Sequence, residues 1–219
     1  ISQGYTKEET EYALIDLSFL GVTDLLLLRG DTKNLDPQQR SMDSHKYATE
    51  LQMQVNNFNL GKGLDDSVFT PSEVPFSYGM ACYPEKHEES PNMESEIFYT
   101  KMKVDNGADY LVTQMFFDNS RYFEFVERCR AAGIKVPIIP GIKPIHRKNQ
   151  LTVLLRVFRT DIPEELEKEL RKCDNDDDAK EVGVEWCIKQ CKELVDAGVP
   201  SVHFYSMNAV DSVRRVAQQ

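Results

Sequence analysis

The chain has 219 residues, of which 41% are hydrophobic, and these values are ordinary for one globular domain, which we expect to cover residues 1–219. Acidic residues outnumber basic residues by 36 to 26, so the formal net charge is −10 and nucleic acid is not expected as a partner, because its binding needs a basic surface. No run of about 18 apolar residues occurs, so the sequence predicts no membrane span.

The cysteines and the first residues bear on location. Five cysteines are an odd number, and most of them stand in helical patterns, which favours reduced thiols over a disulfide framework. The opening residues, ISQGYTKEET, contain neither a basic segment nor a long apolar core, so we expect no signal peptide. Together these features predict a cytoplasmic protein without a membrane partner.

Helical and strand patterns alternate along the chain. The first helix opens with a capping box at Thr6 and Glu9 and ends at Gly21. The later helical patterns cover about 44–58, the stretch from Pro91 to Gly107, 119–133, a short stretch after Pro163, the stretch from the acidic run 174–178 to Gly198, and 211–219. The strand patterns are LLLLRGD (25–31), PFSYGMACYPEKH (75–87), DYLVTQMFFD (109–118), VPIIPGIKP (136–144) and SVHFYSMN (201–208).

Two stretches have no regular pattern. The first, 31–43, directly follows a strand, so we expect it at the ligand-binding end of the sheet, where it can cover a ligand. The second, 59–74, is rich in Gly, Asp, Ser and Pro and is expected at the opposite end, with a structural role.

The strands predict the fold class. They are apolar almost throughout, which is typical of parallel strands buried on both faces by helices. A (β/α)₈ TIM-type barrel needs eight strands and this sequence shows five, so we expect a barrel that lacks the first three βα units in this chain. An open doubly wound sheet is the alternative, but RGDTKNL is not the glycine-rich phosphate loop that such a sheet would favour after its first strand.

Polar side chains follow the strands where parallel α/β folds place their ligands. Arg29, Gly30 and Asp31 combine a cation, a close backbone approach and a carboxylate, which suits a flat polar ligand, although a strand-ending turn with an ion pair explains them equally well. Tyr83 and His87 can stack on and hydrogen-bond a planar cofactor, or belong to a partly exposed loop.

Three further residues are candidates on similar grounds. The amide of Gln114 matches the edge of a heterocycle, but neighbouring backbone groups can satisfy it as well. Tyr205 is expected to face the same way as His203 at the end of the last strand and is the better ligand candidate of the two. Lys103 can reach a phosphate, although a lysine is more often a surface residue.

In their order along the chain, these segments resemble the methylenetetrahydrofolate reductase family. The matching pieces are LLLLRGD, the Tyr47-Ala48 pair in HKYATEL, CYPEKHEES, KMKVDNGADYLVTQMFFD, VPIIPGIKPI and VHFYSMN, from about Ile1 to Asn208. The resemblance implies a (β/α)₈ barrel that binds FAD. It also implies the reduction of 5,10-methylenetetrahydrofolate to 5-methyltetrahydrofolate with NADH or NADPH, and we expect a homo-oligomer.

The resemblance assigns site residues by position. Those at flavin-contacting positions are Leu28, Arg29, Gly30, Asp31, Tyr47, Ala48, Tyr83, His87, Glu96 and Lys103, with Glu96 standing where the family usually has Asp. Those at folate-contacting positions are Gln114, Gln150 and Tyr205. Asp31 is assigned the catalytic role, between flavin and pterin, and no metal is implied.

The family's general acid is a Glu near the end of the first barrel strand, which this sequence does not contain. Other departures are Tyr99 and Met102, where relatives can carry polar flavin contacts, and Ala209, where an Arg often helps to bind folate. A non-catalytic flavin- or folate-binding homologue is therefore the alternative function, and an unrelated α/β enzyme with an open sheet is the third hypothesis.

Overall fold

The computed structural model describes residues 5–29 and 44–219, in which helices alternate with short strands. The helices are α1 (Lys7–Phe19), α2 (Ala48–Asn59), α3 (Met93–Asp105), α4 (Asn119–Ala131), α5 (Gln150–Phe158), α6 (Glu164–Lys172), α7 (Asp176–Asp196) and α8 (Val210–Ala217). The strands are β1 (Asp24–Leu27), β2 (Ser77–Cys82), β3 (Tyr110–Thr113), β4 (Ile138–Ile139), β5 (Gly141–Ile142) and β6 (His203–Phe204).

The two strand pairs with a described register, β1–β2 and β5–β6, are parallel, as their apolar composition predicts. One sheet has the order β1-β2-β3-β4, and β5 and β6 form a second sheet of two strands. Asp24 of β1 is in register with Ser77 of β2, and Gly141 of β5 with His203 of β6. This is an α/β fold with parallel strands joined through helices. The closed eight-stranded barrel remains a prediction.

The segment predicted as one strand over 136–144 is two strands. Pro140 separates β4 from β5 because a proline has no backbone N–H to donate to a neighbouring strand. Its carbonyl still accepts a hydrogen bond from the backbone N of His203 at 2.9 Å. β4 therefore joins the larger sheet, whereas β5 pairs with β6.

The helix termini follow local sequence signals. The capping box at α1 is confirmed, with the Glu9 backbone N donating to Thr6 Oγ1 at 3.0 Å and the Thr6 backbone N donating to Glu9 Oε2 at 2.8 Å. α7 begins after Asn175, whose side chain accepts a hydrogen bond from the backbone N of Asp178. Helix α2 begins four residues later than expected, at Ala48, and α5 was not predicted at all.

The two irregular stretches have different outcomes. Between α2 and β2 the chain forms no helix or strand apart from one isolated antiparallel bridge between Lys62 and Val68, as expected for 59–74. The predicted ligand-covering stretch at 31–43 lies outside the described residues. Among the residues that are described, no helix is both long enough and apolar enough to cross a bilayer.

Two compact units divide the chain. The first contains Ile1–Ala81 and Thr100–Leu111, and the second contains Cys82–Tyr99 and Val112–Gln219. In the first unit Leu14 of α1 and Val55 of α2 are fully buried. In the second unit the core joins strand-end residues to the helices α5, α6 and α7 and is formed by Met115, Phe117, Ile145, Leu154, Leu166, Leu170, Cys173 and Ala179.

Candidate functional site

In the second unit, a polar side chain directly follows each of four strands. Tyr83 follows β2, Gln114 follows β3, Lys143 follows β5 and Tyr205 follows β6. We call these four residues the strand-end cluster. Ligands of parallel α/β folds bind beyond the carboxyl ends of the strands, so this cluster is the candidate site within the second unit.

The loop after β2 carries Tyr83 and His87, whose rings meet edge to face with their centroids 4.7 Å apart. A left-handed residue, Lys86 (φ 61°), makes the turn, and its backbone N donates to the Tyr83 carbonyl at 3.0 Å. The predicted tyrosine–histidine pair therefore exists as one aromatic unit at the end of β2.

Glu96 of α3, predicted to contact flavin, is 2% exposed and holds this loop. Its Oε2 atom accepts hydrogen bonds from the backbone N of His87 at 3.1 Å and from Ser90 Oγ at 2.8 Å. The carboxylate therefore fixes the position of His87, which is a positioning role that the sequence alone did not indicate.

Glu85, between Tyr83 and His87, was not singled out from the sequence. Its Oε2 accepts a hydrogen bond from the backbone N of Asp161 at 3.0 Å, and its Oε1 is buried without a hydrogen-bond partner among the described residues. Burial raises the pKa of Glu85 to about 7, and the carboxylates of Asp161 and Asp118 add to this effect, against the Asp161 amide and Arg121. The sequence feature that could have identified Glu85 is its position in YPEKH, between Tyr83 and His87.

Gln114 is half-buried and only partly satisfied by backbone groups. Its backbone N donates to the Cys82 carbonyl at 2.8 Å, and its side-chain Oε1 accepts from the backbone N of Met115 at 3.0 Å. The Nε2 donor has no partner among the described residues. The amide can therefore offer a donor to a ligand while its carbonyl is held in place.

Tyr205 lies against Gly141 and reaches across to β3. Its hydroxyl donates to the Thr113 carbonyl at 2.9 Å, and burial raises its pKa to about 12. A Cβ on Gly141 would lie 2.6 Å from Tyr205 Cε2 and 2.3 Å from the Thr113 oxygen, so only glycine fits here. The ring also contacts that of His203, with centroids 4.7 Å apart, which confirms that the two side chains share a face.

Gln150, the first residue of α5, is a predicted folate contact that holds the loop before it. Its Oε1 accepts hydrogen bonds from the backbone N of His146 at 2.7 Å and of Arg147 at 3.1 Å. Because the carbonyl end of this side chain is already engaged, its Nε2 is the end that can serve a ligand.

Lys143 was missed from the sequence, where a lysine is expected at the surface. It is 2% exposed, and its Nζ lies 3.5 Å from the Tyr205 carbonyl. Burial lowers its pKa. A buried cation in the strand-end cluster is the least expected feature of the second unit.

The first unit contains the other predicted flavin contacts. Leu28 and Tyr47 are 40% and 54% exposed, which leaves apolar surface available after β1 and before α2, and Ala48 begins α2. Lys103 Nζ donates to the Ala81 carbonyl at 2.8 Å. Arg29 is half-buried, whereas Gly30 and Asp31, including the proposed catalytic carboxylate, lie outside the described residues.

Comparison with known families and proteins gives one consistent result. The family model described as methylenetetrahydrofolate reductase matches residues 2–219. A probable methylenetetrahydrofolate reductase (NADPH) of Caenorhabditis elegans is 33% identical over 216 residues, which are 97% of this chain and 30% of the worm protein. The 5,10-methylenetetrahydrofolate reductase of Pectobacterium carotovorum is 34% identical over 192 residues, which are 87% of this chain and 58% of that protein.

The chain therefore spans about a third of the length of the eukaryotic relatives, such as the Schizosaccharomyces pombe methylenetetrahydrofolate reductase 1, of which it covers 31%. A solved Clostridium thermocellum protein, described as binding two copies of 5-methyl-5,6,7,8-tetrahydrofolic acid, aligns at 14% identity with a TM-score of 0.49. At that TM-score the likeness supports no inference about this chain.

Proposed function

Because the chain belongs to the methylenetetrahydrofolate reductase family, we propose that it takes part in the flavin-dependent reduction of 5,10-methylenetetrahydrofolate to 5-methyltetrahydrofolate by a reduced nicotinamide cofactor. The observation that carries this proposal is the family match over residues 2–219. One relative is named with NADPH and another with NADH, so either electron donor is compatible with the family.

The proposed cofactor is FAD, for which the family resemblance assigns contacts within each of the two units. Leu28 and Tyr47 of the first unit present exposed apolar surface. In the second unit the Tyr83–His87 pair, held by Glu96, presents an aromatic edge and an imidazole. FAD, when bound, supplies the hydride-transfer chemistry, while the protein binds and orients the reactants and excludes water.

The proposed folate contacts are Gln114, Gln150 and Tyr205. Gln114 offers its Nε2 donor, because its Oε1 is already held by the Met115 amide. Tyr205 offers the face or edge of its ring, because its hydroxyl is committed to the Thr113 carbonyl. An amide donor and a ring are the groups that a polar heterocycle such as a pterin can bond to and stack on.

The proposal extends to the architecture and the location of the protein. We infer a (β/α)₈ barrel from the family and from the parallel strand pairs, with the strand-end cluster at the carboxyl end of the barrel. The free thiols of all five cysteines are consistent with a cytoplasmic enzyme.

The decisive experiment uses the full-length protein with FAD. We expect the flavin absorbance to bleach with NADH or NADPH and to return when 5,10-methylenetetrahydrofolate is added, with 5-methyltetrahydrofolate as product. Gln114→Leu should raise the folate Kd about tenfold, as expected for a lost hydrogen bond, whereas the exposed control Gln218→Leu should not.

Other outcomes would decide between the remaining hypotheses. Flavin and folate binding without turnover by the full-length protein would identify a non-catalytic homologue. A protein that binds neither flavin nor folate would refute the proposed function, whereas the family match over residues 2–219 would stand.

A further inference from the structure

The loop after β5 is the strongest local exception to the acidic character of the chain. Residues 143–148 read KPIHRK, so that four of six side chains are basic, in a protein of net charge −10. We call 143–148 the basic loop. It leaves the carboxyl end of β5 and ends two residues before α5, within the second unit.

The basic residues of this loop differ in their hydrogen-bond partners and in their exposure to solvent. Lys148 is tied to the region before and at the start of α7, since its Nζ contacts the Asp174 carbonyl at 3.4 Å and its backbone N donates to Asp176 Oδ1 at 3.0 Å. Arg147 is exposed to solvent. Neither residue therefore requires a further partner.

Lys143 and His146 are different. Lys143 is 2% exposed, and its one polar contact among the described residues is the 3.5 Å approach to the Tyr205 carbonyl, with no carboxylate at ion-pair distance. The Nδ1 of His146 is buried and has no hydrogen-bond partner in the described part of the chain. A buried cation normally has a counter-charge, because burial removes its hydration.

The two groups also influence each other. Burial lowers the pKa of His146, and the charges of Lys143 and Arg147 lower it further, against the carbonyl of Pro144 and the carboxylate of Asp176. An anion bound next to Lys143 relieves this repulsion and gives its Nζ a counter-charge. His146 can donate through Nδ1 in one neutral tautomer or as imidazolium.

We propose that Lys143 and His146 form an oxyanion-binding site of the basic loop, which receives the anionic group of a ligand bound beside Tyr205. The shared chemistry is that of a carboxylate or a phosphate. This inference rests on the proposed function, because the folate substrate carries a glutamate carboxylate and the nicotinamide cofactor carries phosphates.

The geometry places this anion at the strand-end cluster. Lys143 and Gly141 are two residues apart in an extended segment and so point to the same face, and Gly141 packs against the Tyr205 ring. Lys143 Nζ also meets the carbonyl of Tyr205 itself. Lys143 is therefore next to the residue whose ring is the proposed ligand contact.

The first test needs no variant and no organic ligand. Reductive methylation of Lys143 in the full-length protein is followed by peptide mass spectrometry, with inorganic phosphate or with chloride at matched ionic strength. We expect phosphate to slow the methylation of Lys143 at least several-fold and to leave that of the exposed Lys135 unchanged. Equal rates in phosphate and chloride would refute an oxyanion site.

The second test identifies the source of the anion. Dissociation constants are measured for 5-methyltetrahydrofolate against the primary amide of 5-methyltetrahydropteroic acid, which has no carboxylate, and for NADH against reduced nicotinamide riboside, which lacks phosphate. Lys143→Met should weaken one charged ligand about 10- to 100-fold, the effect of losing a charge-assisted hydrogen bond, and should leave its uncharged counterpart unchanged. A loss in the folate pair assigns a carboxylate, and a loss in the nicotinamide pair assigns a phosphate.

Lys135→Met is the matched control, because it removes the same charge from an exposed position of the second unit. If both variants give the same four dissociation constants, the proposal is wrong. If the wild-type protein binds neither folate nor nicotinamide, the proposed function fails, whereas phosphate protection of Lys143 still decides whether the oxyanion site exists.

Discussion

Gly141 and Tyr205 are packed so closely that a single methyl group between them would collide with the tyrosine ring, at 2.6 Å from Cε2. The same methyl group would meet the Thr113 carbonyl oxygen at 2.3 Å, and that oxygen accepts the hydrogen bond from the Tyr205 hydroxyl. A glycine, a tyrosine and a strand-end carbonyl therefore form one contact set next to Lys143.

Gly141→Ala should destabilise the protein by about 1–3 kcal/mol, since the neighbouring atoms include backbone that cannot move easily. Urea-induced unfolding measures the change. Gly198→Ala is the control, because Gly198 has open space around it and tests only the cost of a left-handed residue (φ 78°), about 1 kcal/mol. A Gly141→Ala variant that is as stable as wild type would contradict the packing described.

Tyr205→Phe should cost about 1 kcal/mol of folding free energy, because the Thr113 carbonyl loses its hydroxyl donor. The same variant should keep the folate Kd within about twofold, because the proposed ligand contact uses the ring and not the hydroxyl. A twofold change in Kd corresponds to a binding free energy well below that of one hydrogen bond. Tyr205→Leu, which removes the ring, should raise the Kd clearly more. Equal Kd values for the two variants would mean that the ring is not the contact.

Glu85 should make the protein less stable as the pH rises. The folded-state pKa of about 7 exceeds the ordinary value of 4.5, so the folded protein holds this proton more tightly than the unfolded chain does. The contribution to the unfolding free energy is complete below about pH 4.5 and is lost as the pH rises through 7. The loss is roughly 3 kcal/mol, because each unit of pKa difference corresponds to about 1.4 kcal/mol.

Glu85→Gln removes this titration and should flatten the pH dependence of the unfolding free energy between pH 4.5 and 8. Chemical denaturation at several pH values measures the slope. Glu127→Gln, at an exposed position of α4, serves as the control and should retain the wild-type slope. A Glu85→Gln variant with the wild-type slope would show that Glu85 does not titrate in this range.

Thr6→Ala should destabilise α1 by about 1 kcal/mol, because the Glu9 amide loses its acceptor and the capping box is broken. Circular dichroism during urea unfolding reports the change. Thr6→Ser keeps the hydroxyl and should recover most of the loss. If serine and alanine give the same stability, the hydroxyl does not cap this helix in solution.

Local signals carried most of the fold prediction. Apolar strands with turn residues between them located all the strand segments, and caps such as Thr6 located helix starts. The break at Pro140 could also have been read, since proline interrupts strand pairing. Helix α5 was missed because it is only nine residues long and its N-cap, Asn149, makes no side-chain capping hydrogen bond.

The site was predicted less completely, because tertiary contacts decide what each polar residue does. Gln114 and Tyr205 were predicted as candidates, and the structure places both directly after strands. Glu96 and Gln150 use their oxygens to hold loops, which depends on residues up to nine positions away. The burial of Lys143 depends on β6, some 60 residues further along the chain, and no local pattern shows it.

The interruption at Pro140 has a consequence for how the strands open. The pair formed by β5 and β6 has only two residues in register on each strand, and no continuous ladder joins it to β4 across the proline. We therefore expect the amides of His203 and Tyr205 to exchange with solvent through small local openings, without unfolding of the larger sheet.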